Sequence, residues 1–299
     1  MSLDFDGLNF GQGWVNDPAW VQEIIEADEV QPLSACIGAG SDRSDSTDLT
    51  LYLKKVYGDK WYISQGSCGS CVAFGAALAV DILTAIQIVD HGMDKPVGRT
   101  DPMTIYWGSR KEIGGGRLWG QGSVGAWACK WLKDFGVIPQ AKYPAIDLTT
   151  YDASVCCGSQ DRSGVPDTLE PIARQHPVKT YAQVKTFEEA ARAIENGYPV
   201  TVASNQGFTK RRDGQGFASP SGSWAHQMTI VGIRRDRPGA LIANSWGPYY
   251  SGGPSDMSPA TKWVDASTIN RMLSQGDSFA LSDLVGWPKK SLSFARLNW

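Results

Sequence analysis

Residues 65–74 read QGSCGSCVAF, two cysteines three apart with an apolar run directly after them. A Cys-x-x-Cys pair serves as half of a zinc site, as a redox couple, or as a structural cysteine beside a nucleophile. A redox couple needs a buried strand ahead of it in a βαβ unit. Here the preceding KKVYGDKWYIS is short and charged, and the second half of the chain has no parallel-sheet pattern. A zinc site needs two more ligands at suitable spacing, but the vicinal Cys156-Cys157 is too tight and His91, His176 and His226 are scattered. Neither a metal nor a cofactor is expected.

A nucleophilic cysteine needs a base, a group to orient that base, and donors for an oxyanion. Cys71 opens an apolar helix, where the helix dipole and free N–H groups lower a thiol pKa. His91 stands at the far end of that helix, roughly 30 Å away at 1.5 Å per residue, and cannot be its base. His176, in ARQHPV, reads as a solvated connector residue. His226 opens the apolar run HQMTIVGI (226–233), and Asn244 in IANSWG lies where an adjacent strand could bond the imidazole. Taken singly, His226 also reads as a strand-end histidine and Asn244 as a turn asparagine.

The rest of the chain sets the frame. Its 299 residues, 42% hydrophobic and 20% charged, suffice for one large domain or two lobes. With 28 basic and 31 acidic residues the net charge is −3, which gives no bulk attraction to nucleic acid or an anionic membrane. The first residues carry no basic-then-apolar leader, so reduced cysteines and a cytoplasmic or particle-borne location are expected. The apolar stretch 72–89 has Asp81 near its middle, which predicts a buried core helix and no membrane span.

Asp17 and Pro18 start a helix within 17–30, and a polar, Gly/Ser-rich stretch at 37–47 separates this arm from the body. Further helices are predicted from Cys71 to about Asp90, after the Asp101-Pro102 start, over 123–135, and over 186–196 with a Thr186/Glu189 capping box. Strands follow at 198–204, 226–233, 239–247 and 277–282. Helices first and antiparallel strands afterwards make an α+β pattern. The boundaries are an arm at 1–48, a helical lobe at 49–165, and a β-rich lobe at 166–299 with a divergent C-terminal extension.

In that order QGSCGSCVAF, AHQMTIVGI and NSWG resemble the papain-like cysteine peptidases, the papain/cathepsin family. The likeness continues through residues 120–145 and 186–203 and covers about residues 49 to 250. The spacing from Cys71 to His226 and Asn244 slightly exceeds the roughly 130–150 residues usual there, and the insertion at 207–223 accounts for the excess. The resemblance implies a two-lobe fold, a helical lobe facing an antiparallel barrel-like lobe across a cleft. It also implies an endopeptidase acting through an acyl-thioester on a polypeptide substrate. Cys71 would be the nucleophile, His226 the base, Asn244 its orienting partner, and Gln65 an oxyanion donor. The substrate groove would be lined by Gly122, Ser123, Trp224, Ala225 and Trp246, with Trp246 also shielding the Asn–His bond.

The sequence departs from the family in four places. Val72 replaces an aromatic residue after the nucleophile, and Ser123 replaces the second glycine of the substrate-binding pair. Gly120 stands about where the partner of Cys68 would be, so Cys68 is expected to remain a free, buried thiol. After NSWG the chain continues PYYSGGPSDMSPATKWV, so the last fifty or so residues are built differently. The stretch ahead of Gln65 is short for an inhibitory prosegment. The arm is therefore expected to dock outside the cleft, its apolar face (Trp20, Val21, Ile24, Ile25) on its own body or a neighbour. Two other classes stay open: an assembly protein in a homo- or hetero-oligomeric particle that keeps the fold, and an amidase or transpeptidase using the same triad.

Overall fold

The computed structural model describes residues 10–37, 45–96, 98–175, 178–285, 287, 288, 290 and 292–294; His176 lies outside the described residues. In chain order the helices are α1 (Pro18–Ala27), α2 (Leu33–Cys36), α3 (Thr50–Tyr57), α4 (Cys71–His91), α5 (Pro102–Gly108), α6 (Gly125–Asp134), α7 (Ala153–Cys156), α8 (Gln160–Ser163), α9 (Glu170–Ala173), α10 (Phe187–Glu195) and α11 (Ala266–Leu273). The strands are β1 (Ser46–Asp48), β2 (Thr180–Gln183), β3 (Val200–Arg212), β4 (Ala218–Arg234), β5 (Gly239–Ala243), β6 (Thr261–Asp265) and β7 (Ser278–Ser282). They form one antiparallel sheet in the order β2-β7-β3-β4-β5-β6, with β1 added on β4.

Helix α4 is the hub. Every residue from Cys71 to Leu83 is buried, so its apolar composition is that of a core helix. Asp81 sits among them because it is paired: Arg99 Nε and the Thr100 N–H bond it at 2.7 and 2.9 Å. The left-handed Gly92 ends the helix. The starts read from sequence recur: Asp17 caps α1, Asp101 caps α5, and the Thr186/Glu189 capping box opens α10.

Strand β4 packs against the first turns of α4. Gln227 Nε2 donates to the Val72 carbonyl at 2.9 Å, and Thr229 Oγ1 to the Gly75 carbonyl at 2.8 Å. Gly75 permits this approach, since a Cβ there would stand 3.2 Å from Gln227 Nε2. The insertion at 207–223 is no loose loop; it extends β3 and β4 into a long hairpin whose pairing carries several register shifts.

Two expectations fail here. Cys68 is not a free thiol: it is joined to Cys157, 89 residues on, which takes the place of the partner missing near Gly120. Nor does the arm stay outside the cleft. Helix α1 does bury Val21 and Ile24 on its own chain, with Trp20 stacked on Trp127 of α6 at 4.9 Å. Asp28 then ties it to Lys130, Lys133 and Tyr181. The residues just ahead of α1, however, run across the front of α4.

The disulfide closes a long loop, so replacing Cys68 and Cys157 together by serine should cost about 2–5 kcal/mol in urea unfolding. Thiol titration of the denatured, unreduced chain should find four free cysteines, namely Cys36, Cys71, Cys129 and Cys156. Six would show that the bridge is absent.

Candidate active site

Cys71 is the first residue of α4, and His226 and Gln227 come from β4 beside it. The Gln227 N–H reaches the Cys71 sulfur at 3.5 Å, so the thiol lies against the peptide that joins His226 to Gln227. His226 Nε2 lies 2.7 Å from Asn244 Oδ1, which also accepts the Ser245 N–H at 2.8 Å. An oxygen already facing one N–H faces a second, which fixes the Nε2–H tautomer. The other ring nitrogen, Nδ1, is buried without a hydrogen-bond partner and is available to the thiol proton. Trp246 packs over the imidazole with ring centres 4.5 Å apart, and Trp224 stands behind Trp246 at 4.7 Å.

Gln65 is anchored by its neighbours. Its N–H bonds the Ser245 carbonyl at 2.9 Å, and its side-chain Oε1 takes the Ser245 hydroxyl at 2.5 Å. This leaves Nε2 to donate, and one acceptor is unexpected: the carbonyl of Gly11, at 2.9 Å.

The arm residues FGQGW (10–14) lie in the cleft. Phe10 stacks on Trp246 at 5.2 Å. The Gly13 and Trp14 N–H groups both bond the Ala225 carbonyl at 3.1 Å, and the Ala225 N–H returns a bond to the Gln12 side chain. Ser123 N–H bonds the Gly13 carbonyl at 2.8 Å, and the Val15 N–H bonds the Ser123 carbonyl at 2.9 Å. Of the residues expected to hold substrate, Ser123 and Ala225 thus bind a polypeptide backbone and Trp246 binds an aromatic side chain. Gly122, in the left-handed region, lies so close that a Cβ there would meet the Gly13 carbonyl at 2.7 Å. The arm needs its own glycines: a Cβ on Gly13 would come within 1.8 Å of the Gly69 carbonyl, and one on Gly11 within 2.1 Å of the Cys68 carbonyl.

Asp277, just ahead of β7, holds the far end. It accepts the Trp14 indole N–H at 2.8 Å and the first two amides of α6, Gly125 and Ala126, at 2.6 and 2.8 Å. Burial pushes its carboxyl up to about 6 against these three donors. Nothing in GDSFALS separated this aspartate from any turn acid.

The sealed cleft reverses the expected thiol chemistry. Burial pushes the Cys71 thiol up to about 11, opposed by the backbone amides of Gln227, Gly13 and Val72. Burial also drives His226 down to about 3, against its bond to Asn244. Under the arm the pair is a neutral thiol and a neutral imidazole, because neither charge has solvent to support it.

The fold is papain-like, a divergent α+β form with helices on one side of the cleft and an antiparallel sheet on the other. The chain overlays on xylellain, a cysteine protease from Xylella fastidiosa, with a TM-score of 0.63 at 19% identity, covering 93% of this chain and 97% of that one. A Carica candamarcensis cysteine protease solved with E-64 gives 0.53 at 20% identity, covering 80% and 98%. In sequence, a gut-specific cysteine proteinase of Caenorhabditis elegans is 26% identical over 201 residues, 61% of this chain. The chain spans 58% of the length of that relative. No family model matches.

In the full chain, limiting iodoacetamide should therefore modify the half-buried Cys36 before Cys71. Any labelling of Cys71 should keep rising with pH towards about 11, because a raised thiol pKa delays the thiolate. Peptide mapping checks this; rapid, pH-independent labelling of Cys71 near neutrality would contradict it.

Proposed function

We propose that the chain is a cysteine peptidase whose cleft is masked by its own arm. What supports this reading most is the backbone of residues 10–15 laid over Cys71, with a peptide carbonyl on the Gln65 amide. A groove that fits an extended chain favours a polypeptide substrate over a small amide.

With the arm displaced, solvent returns and the thiol and imidazole can exchange their proton. Cys71 Sγ attacks the scissile carbonyl carbon while His226 Nδ1 takes the thiol proton. The developing oxyanion is met by Gln65 Nε2–H and the N–H of Cys71. His226 then returns the proton to the departing amine, leaving a thioester on Cys71. Water, deprotonated by His226, attacks the thioester carbonyl, releases the acid and restores the thiol. Asn244 keeps the ring turned to the sulfur throughout, and Trp246 keeps water from the Asn–His bond.

Gly13→Val tests the masking in the intact chain. The added side chain has no room against Gly69, so the arm should leave, and hydrolysis of an unstructured peptide should rise at least about tenfold, a change of some 1.4 kcal/mol. E-64 should label Cys71 in this variant, and Cys71→Ala in the same background should abolish both. No labelling and no hydrolysis in Gly13→Val would overturn the peptidase reading. Equal activity in both arm states would remove only the mask.

In the Gly13→Val chain, Gln65→Ala should lower kcat about 10²–10³-fold with little change in thermal stability. A raised KM at unchanged kcat would make Gln65 a binding residue only.

A further inference from the structure

Lys262 of β6 is fully buried, yet among the described residues no carboxylate pairs with it. Its Nζ lies 2.7 Å from the Tyr250 hydroxyl and 3.1 Å from Met228 Sδ, under the rings of Phe208 and Tyr250. Tyr250, also buried, receives Asn244 Nδ2–H at 3.3 Å. A continuous line of contacts therefore runs from Lys262 through Tyr250 and Asn244 to His226. Both Tyr250 and Lys262 lie in the segment where the sequence leaves the papain-like pattern.

We propose that Tyr250 and Lys262 are positioning residues, which fix the Asn244 amide and through it the tautomer of His226. This rests on reading His226 as the catalytic base. Asn244 Oδ1 faces two N–H groups, so its Nδ2 is turned to Tyr250. The Tyr250 oxygen thus accepts on both sides, from Asn244 Nδ2 at 3.3 Å and from Lys262 Nζ at 2.7 Å. Burial drives the Lys262 ammonium pKa well below its usual value. A second Nζ–H points to Met228 Sδ at 3.1 Å. With the Tyr250 oxygen receiving both donors, Asn244 keeps its NH₂ on Tyr250 and its Oδ1 on His226 Nε2. Without Lys262 as its donor, the Tyr250 hydroxyl is free to turn its own proton to Asn244, whose side-chain acceptor is the amide oxygen. Turning that oxygen towards Tyr250 would bring an NH₂ against His226 and move the ring proton to Nδ1, the nitrogen the thiol needs.

The first readout needs no catalysis. The chain has three histidines, so ¹⁵N spectra of histidine-labelled full chain, assigned through a His226 substitution, report the tautomer directly. Wild type should show the Nε2–H form alone, while Tyr250→Phe and Lys262→Met should each show a mixture. Tyr250→Phe removes a single oxygen, so it carries the test if Lys262→Met fails to fold. An unchanged His226 spectrum in Tyr250→Phe overturns the proposal. The second readout uses the Gly13→Val background. Each substitution should lower kcat about tenfold, within the range for coupling inside one hydrogen-bonded network, at unchanged KM. The double variant should be no worse than either single one. Multiplying losses, or losses in KM alone, would overturn it. If that background hydrolyses nothing, the peptidase reading fails, and the tautomer result still decides this proposal.

Discussion

The bonds from Gln227 and Thr229 on β4 to the carbonyls of Val72 and Gly75 on α4 are the constraint on which the rest depends. They lock the start of one helix to the middle of one strand. Cys71 is the residue before Val72, and His226 is the residue before Gln227. Two side chains far apart in sequence thus become neighbours through the residues next to them. Their glycine, Gly75, is small because the strand must come close. The site inherits its precision from this buried seam, which is more rigid than any surface loop.

The arm uses the same surfaces that a substrate would need. It is bound by main-chain atoms on both walls of the cleft, Ser123 from one side and Ala225 from the other. Its glycines let the backbone settle where side chains could not. The electrostatic effect follows from geometry: excluding water leaves thiol and imidazole both uncharged. The arm does more than cover the cleft, because burial under it also keeps the Cys71 thiol protonated.

Most of the candidate site was legible in the sequence because each part sits in a short local pattern. Cys71 begins an apolar helix, His226 a strand, and Asn244 precedes an indole. The helices with caps were equally readable, since caps are local chemistry. Contacts decided by distant chain were not. Cys68 has no partner near Gly120, and nothing in residues 153–163 identifies Cys157 over Cys156 as its mate; only the folded path of α7 does. Gly11 and Gly13 look like turn glycines, and their role depends on carbonyls at 68 and 69. Lys262 reads as an ordinary strand lysine in TKWV, and only the fold shows that its side chain points inward. The course of the arm belongs with these: its short length excludes a separately folded segment, yet a few extended residues, 10–15, suffice to fill the cleft.

The arm stays covalently attached to the body it covers, and that changes the currency in which inhibition is measured. A segment tethered by a short link acts at an effective concentration of order millimolar, whatever the protein concentration. Under the proposed function, an incoming peptide does not meet an enzyme that is off. It meets one whose binding-competent fraction is small, and its apparent affinity is reduced by that fraction. On that proposal the arm works as a threshold on substrate abundance. Dilution leaves it intact, scarce or weakly binding chains are spared, and a crowded supply of unfolded polypeptide opens the cleft by competition alone.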